Sequence, residues 1–229
     1  MPDTTKIQMS DVFAIIVAAG AGIRFGSPKP FAALKGKRIV DYCLETFNSH
    51  PGILEMVLVL RETSKKDFFL DQYEKLKAVA TGGERRQDSV FSGFQQISPD
   101  EKDIVLVHDA ARPLIKAELI DLVIEKTKAK GAAIPALPVS DTIKKINGDR
   151  VSHTIDRQDL YRIQTPQGFS CGILSRAFKS NLEDPCMYTD EAALVERLGQ
   201  DVFVVPGDPG NLKITVPEDI KIAETFIED

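Results

Sequence analysis

The sequence predicts an α/β fold: a mostly parallel sheet with helices on both faces and one inserted β-hairpin arm. Three observations lead there. Short apolar runs alternate along the chain with segments of helical period, the order that parallel strands need for their crossovers. Several of those runs are almost continuously apolar, as strands buried on both faces must be. The first of them, within FAIIVAAGAGIRFGSPKPF (residues 13–31), passes directly into Ala18, Ala19, Gly20, Ala21 and Gly22, too little side chain to cover the loop's own backbone.

Element by element, β-branched and apolar runs predict strands over residues 13–19, 56–60, 78–81, 104–107, 132–135 and 202–205. Apolar residues at helical spacing predict helices over 40–48, 64–75, 87–96, 116–129, 172–181, 190–198 and 217–227, the last opened by Pro217. One segment breaks the rhythm: VSDTIKKINGDRVSHTIDRQ (139–158) alternates apolar and polar residues around Asn147-Gly148, a two-residue hairpin signal. An isolated ribbon is marginal in water, so this arm packs either against a second subunit, giving a homodimer, or back onto its own domain.

At 229 residues the chain reads as a single domain, residues 1–229, with 139–158 as the insertion. A formal net charge of −5 argues against a general nucleic-acid binder, so any phosphate site is built from locally gathered Arg and Lys. Cys43, Cys171 and Cys186 are far apart and odd in number, which suits thiols in a reducing compartment rather than a disulfide framework or zinc site. The first dozen residues are polar, and no run approaches the ~18 apolar residues of a membrane span. A cytoplasmic protein without membrane contact is expected.

The candidate site residues follow the strands, because ligands of such sheets collect at the carboxyl edge. Small residues after the first strand let backbone N–H groups converge on a phosphate, with Arg24 and Lys29 adding positive charge just beyond. The loop matches neither common fingerprint: Phe25 stands where a dinucleotide motif has its third glycine, and no G-K-[ST] follows. After the fourth strand, His108-Asp109-Ala110-Ala111-Arg112 presents a carboxylate suited to Mg²⁺ or a ribose hydroxyl, or equally to capping the next helix. Arg112 suits a phosphate, or equally a surface ion pair, and His108 reads as packed. Gly82-Gly83 again exposes backbone; Ser89 reads as solvated or facing a base, Thr189 as an N-cap or ligand contact, and Lys213 as a lysine at an edge or beside an anion.

In order along residues 13–224, AAGxGxRxG…K, GGxxRxxSV, VHDAARP, DTIK with a following DR, TPQ, TDEA and NxKIT…PED make the chain resemble the 2-C-methyl-D-erythritol 4-phosphate cytidylyltransferases. The resemblance implies a Rossmann-like, glycosyltransferase-A-like nucleotidyltransferase, homodimeric through the arm. It would join CTP to a sugar-alcohol phosphate with Mg²⁺ and release pyrophosphate. It further implies that Ala18, Ala19 and Gly20 meet the CTP phosphates and sugar, that Gly82, Gly83 and Ser89 read cytosine, and that Asp109 and Ala110 lie near ribose and metal. Arg24 and Lys29 would stabilise charge at the reacting phosphate. Arg112, Thr142, Thr165 and Thr189 would line the sugar-phosphate pocket, while Lys213 and Arg157, the latter offered across the dimer, would position the attacking phosphate.

The chain departs from the family's pattern at Val17, at Pro30 after Lys29, and at Gly210, where an acid is often found and Asp208 is the nearest substitute. A phosphate monoester is largely dianionic at neutral pH, so the implied nucleophile needs no general base. The neighbouring alternatives are a ribitol 5-phosphate cytidylyltransferase, which tends to carry valine where this chain has Ala111, and a non-catalytic nucleotide-binding protein. A nicotinamide-dependent oxidoreductase is disfavoured by the missing third glycine.

Overall fold

The computed structural model describes residues 10–20, 25, 29–63 and 66–227. The chain runs β1 (Val12–Val17), a 3₁₀ turn (Lys29–Phe31), β2 (Ala33–Leu34), β3 (Lys37–Arg38), α1 (Ile39–Ser49), β4 (Glu55–Leu60), α2 (Lys66–Gln72), β5 (Leu76–Thr81), α3 (Arg86–Phe94) and β6 (Ile104–Asp109). It continues through α4 (Ala117–Lys130), β7 (Ala132–Pro138), β8 (Ile143–Asn147), β9 (Arg150–Ile155), β10 (Tyr161–Ile163), β11 (Gln167–Ser170), α5 (Cys171–Glu183), α6 (Glu191–Arg197), β12 (Phe203–Pro206) and α7 (Glu218–Glu224).

Strands β5, β4, β1 and β6 pair in parallel, and β7 with β12 forms a second parallel pair. Between the two sets lies β11, antiparallel to both β6 and β7. The period of two along a strand then divides the core. Val12, Ala14 and Ile16 join residues of α1, α2 and α4 on one face, whereas Phe13 and Ile15 join residues of α3, α5 and α6 on the other. Both clusters are close to fully buried, which is why β1, β4 and β6 carry no alternating polar positions.

All six expected strands and all seven expected helices are present, with ends shifted by a few residues. The consequential shift is at β6, which runs two residues past its expected end, so that His108 and Asp109 belong to the strand and Asp109 pairs with Val17. β10 and β11 were not anticipated. They have three and four residues, too short for a period to declare itself, and the cis Thr165-Pro166 bond lies between them.

The hairpin forms as β8 and β9, with one register correction. The two loop residues are Gly148 and Asp149 rather than Asn147 and Gly148, since Asn147 still pairs with Arg150. Gly148 takes φ +62 at the first loop position, where a hairpin turn of this kind wants glycine. The arm is not folded onto its own domain: residues 144–163 are exposed, among them Ile146, Val151, Ile155, Leu160, Tyr161 and Ile163.

Gly93 shows how closely α3 approaches the sheet, because a Cβ there would lie 2.6 Å from Ile15 Cγ2 and 2.8 Å from Val59 Cγ2. Alanine at this helical position gains about 1 kcal/mol of propensity. Overpacking of a filled core costs about 1–3 kcal/mol. Gly93→Ala is therefore expected to lower the urea unfolding midpoint, and a raised midpoint would show that the α3 contact has slack.

Candidate functional site

The parallel strands end on one side of the sheet, and a cleft of about 340 Å³ opens there. Its walls come from the loops after β1, β5 and β6 and from residues 213–215. Hydrogen bonds anchor the first residue of each loop to the neighbouring strand: Ala18 N–H donates to Val59 C=O at 2.8 Å, Gly82 N–H to Leu60 C=O at 2.7 Å, and Ala110 N–H to Val17 C=O at 3.0 Å. The loops after β1 and β5 meet because both are built from the smallest residues. A Cβ on Gly82 would fall 2.2 Å from the Ala19 Cβ, and one on Gly83 would fall 2.4 Å from the Asp88 Cβ. Ser89 is buried rather than solvated; its Oγ accepts from Gly83 N–H at 3.1 Å and donates to Arg85 C=O at 3.1 Å, so it shapes the glycine turn.

Asp109 is the buried carboxylate of the cleft. Its Oδ1 accepts from Arg86 Nε at 2.9 Å and its Oδ2 from Lys213 Nζ at 2.6 Å. Burial alone would raise its pKa, but the charges of Arg86 and Lys213 overrule it and hold the carboxyl well below the usual range. Arg86 is in turn clamped by Glu191, with Nη1 at 2.9 and 2.8 Å from the two carboxylate oxygens. Burial works against the Arg86 charge, yet Glu191 and Asp109 keep it protonated beyond the ordinary range. Lys29 reaches the same edge from the 3₁₀ turn and donates to Ile214 C=O at 2.9 Å, beside Lys213. Asp219 fixes that segment by accepting from Thr215 and Val216 N–H at 2.6 and 3.0 Å, which gives the PED run its structural meaning.

Behind Asp109 lies a buried polar network. Asp109 N–H donates to Thr165 Oγ1 at 3.0 Å, and Thr165 Oγ1 lies 3.2 Å from His108 Nδ1. His108 Nε2 lies 3.1 Å from Arg112 C=O and must donate to it, which leaves Nδ1 to accept the threonine proton. Burial depresses His108 to about 4, so the ring is neutral and packed, not a base facing the cleft. Arg112 is neither a surface ion pair nor on the cleft wall. It is buried and donates to Asn211 C=O at 2.8 Å and Ile163 C=O at 3.2 Å.

Of the expected site residues, Ala18, Ala19, Gly20, Lys29, Gly83, Ser89, Asp109, Ala110 and Lys213 share the cleft, with Gly82 directly behind it. Arg112 and Thr165 belong to the network under it. Thr142 and Thr189 are exposed and outside its lining, as is Arg157, which donates to Ser140 C=O at the foot of the arm. Thr189 is not an N-cap: Asp190 caps α6 by accepting from Ala193 N–H at 3.1 Å. Asp109 is not a cap either, since α4 begins at Ala117 with Lys116 at its N-cap position. Asp208 does not replace an acid at Gly210, because it faces Lys116 at 3.1 Å and accepts from Gly210 N–H. Arg24 lies outside the described residues.

Arg86 and Glu191 were not anticipated as site residues, although both fall inside quoted motifs. The available signal was an acid heading the apolar segment EAALVE, where a helix buried on one face has no use for a charge without a partner. Among the described residues, four cationic side chains, Lys29, Arg85, Arg86 and Lys213, and two acids, Glu84 and Asp109, line the cleft. For a magnesium ion the fit is that of a single ionised carboxylate sharing the ion with substrate phosphates. Among the described residues no group of three or more metal-ligating side chains gathers, so an all-protein cage is not offered.

Small residues lining a cleft at the end of β1, with cations gathered around a strand-end aspartate, define a nucleotide-binding transferase of the nucleotidyltransferase class. The sequence over residues 12–229 matches the family model of 2-C-methyl-D-erythritol 4-phosphate cytidylyltransferase, and the chain belongs to that family. A protein of that name from Acidobacterium capsulatum is 40% identical over 94% of this chain and 97% of its own length. One from Bacillus pumilus is 38% identical over 93% and 96%. Among solved structures, the Francisella tularensis 2-C-methyl-D-erythritol 4-phosphate cytidylyltransferase superposes with a TM-score of 0.84 at 30% identity, over 95% of this chain and all of that one. The one from Thermus thermophilus gives 0.80 at 31%, over 94% and 98%.

The neutrality of His108 has a pH signature. Its folded pKa of about 4 lies below the ordinary 6.5, so between these values only the unfolded chain takes up the proton. Stability from this residue is complete above about pH 6.5 and falls as the pH drops towards 4, by about 3 kcal/mol at most. The stability advantage of the native chain over His108→Gln, measured by urea unfolding, is expected to shrink over that window; a constant difference would mean that the buried ring is charged.

Proposed function

We propose that the cleft transfers CMP from CTP to 2-C-methyl-D-erythritol 4-phosphate, giving 4-diphosphocytidyl-2-C-methylerythritol and pyrophosphate for isoprenoid biosynthesis. The observation that carries this reading is the Asp109–Arg86–Lys213 arrangement in a cleft that Ala18, Ala19 and Gly20 also line. Family membership favours it over the ribitol 5-phosphate reading and over a non-catalytic binding role. In the reaction a phosphate oxygen of the sugar alcohol forms a bond to the α-phosphorus, and the bond from that phosphorus to the bridging oxygen breaks. The nucleophile arrives already dianionic, which suits a cleft wall with no histidine or cysteine among its described residues.

The chemical difficulty is repulsion between two polyanions. Two unit charges about 4 Å apart repel by about 4 kcal/mol at a surface-like dielectric, and each substrate brings several. On this reading the backbone N–H groups of Ala19 and Gly20 meet the triphosphate while Ala18, its own N–H held by Val59 C=O, starts the loop; Lys29 stabilises the reacting phosphate, a role also proposed for Arg24, and Lys213 turns to the incoming one. Mg²⁺, when bound, would neutralise phosphate charge on CTP, and Asp109 would hold it. Gly83, with Ser89 bracing its turn, would meet the base, and Ala110 the ribose. Arg112 and Thr165 would act from beneath, by holding the strand end in place.

Arg157, Thr142 and Thr189 stand apart from the cleft of their own chain, and the arm at 139–158 exposes apolar residues. A homodimer in which the arm delivers Arg157 to the partner's site accounts for both facts. The whole chain then works as one nucleotidyltransferase domain with a dimerisation arm. The reading also takes the protein as cytoplasmic, acting on small molecules and not on nucleic acid; among the described residues no helix is long and apolar enough to cross a membrane.

With CTP, Mg²⁺ and methylerythritol 4-phosphate the protein is expected to release pyrophosphate, with no turnover after chelation and little with ribitol 5-phosphate or UTP. Equal turnover of ribitol 5-phosphate would overturn the substrate assignment. Lys213→Ala should lower kcat by about 10²-fold with little change in KM for CTP, because its charge is used mainly in the transition state. For the arm, mixing Arg157→Ala with Lys29→Ala subunits should restore activity towards half of wild type in the heterodimer, where one site carries both defects and the other neither. Absence of recovery, with subunit exchange confirmed, would assign Arg157 to its own subunit.

A further inference from the structure

Glu191 is fully buried at the first turn of α6 and takes no part in the cleft wall. A buried ion pair is weak evidence of a stabilising role, since apolar residues of the same volume would often serve as well or better. Its geometry suggests another use. An arginine fork prefers to grip a carboxylate with two parallel N–H groups. Arg86 does not grip Asp109 that way: only Nε reaches it, at Oδ1, while Nη1 is held between both oxygens of Glu191. Nη2 is buried and has no hydrogen-bond partner among the described residues. Asp109 Oδ2 is thereby left to Lys213, whose side chain is 42% exposed and able to move.

We infer that Glu191 is a positioning residue for nucleotidyl transfer: by fixing the plane of Arg86 it prevents a two-pronged grip on Asp109, and so keeps Oδ2 exchangeable between Lys213 and the magnesium–nucleotide. Gln167 supports the same element, donating from Nε2 to Asp190 Oδ2 at 2.7 Å and accepting from Ala192 N–H at 3.2 Å. α6 is thus tied to the sheet at β11, next to β6, and the clamp has a rigid base. Without Glu191, Arg86 would turn its full charge on Asp109 and compete with the ion.

This inference rests on the cytidylyl-transfer reading, and the test separates the two. CTP binding to the full-length protein is measured by calorimetry with Mg²⁺ and with EDTA, for wild type, Glu191→Gln, Arg86→Gln and the double variant, each checked for folding by thermal melting. Glu191→Gln is expected to weaken binding about 10- to 100-fold with Mg²⁺, the usual cost of losing an outer partner of a metal ligand, and to leave binding in EDTA unchanged. The double variant should lose no more than Arg86→Gln alone, because Glu191 acts through Arg86. Should Glu191→Gln not fold, Glu191→Asp carries the same test, keeping the charge while withdrawing its reach. Unchanged metal-dependent binding in the Glu191 variant, or additive losses in the double variant, would overturn the inference alone. Absence of CTP binding by wild type would overturn the reading beneath it as well.

Discussion

Asp109 is charged, buried and held by register against Val17 at the end of β6, and a carboxylate in that position is tolerable only because two cations lie within hydrogen-bond distance. Each cation then makes its own demand. Arg86 needs Glu191, and Glu191 needs α6 docked where it is. Lys213 needs the 211–216 segment, which Asp219 ties from below and which lies against the loop after β6 through the Ile214 N–H to Ala111 C=O bond of 2.8 Å. The cleft is therefore one electrostatic unit assembled from segments more than 100 positions apart.

The balance of charge is local. The chain as a whole carries −5, yet among the described residues its cleft gathers four cations against two acids. Such a site attracts polyphosphates at close range without making the surface adhesive to nucleic acid. In the polar network beneath it the histidine is neutral: with His108 uncharged, its ring can accept from Thr165 and donate to Arg112 C=O without adding a further charge that would pull on Asp109.

Much of the fold was legible because β1, β4 and β6 are buried on both faces and read as unbroken apolar runs, while α1 and α4 show helical spacing. β10 and β11 were not, since three or four residues have no periodicity to read and their place is decided by the neighbouring strands. At the site, the small residues of 18–20 and 82–83 announced two loops that meet closely, although Ala18 and Ala19 prove buried, and Asp109 and Lys213 stood out as charges beside apolar runs. Arg86 and Glu191 escaped because what marks them is burial and mutual contact, which a linear sequence does not display. Arg112 looked from its motif like a group for the ligand, whereas its guanidinium is spent on two backbone carbonyls.

The antiparallel β11 between β6 and β7 sets an order on assembly. As the chain leaves the ribosome, β1, β4, β5 and β6 can form a four-stranded parallel sheet once residue 109 has emerged, but that sheet ends in β6 with its outer edge bare. β7 follows soon after and cannot cover it, since the slot belongs to a strand made about thirty residues later, beyond the whole arm. The nascent chain must therefore carry an open sheet edge through synthesis of the ribbon, and exposed edges of this kind are where chains pair wrongly with one another. The abundant charge of the 139–158 segment has a second use in that interval, keeping the waiting chain soluble until residues 167–170 close the seam.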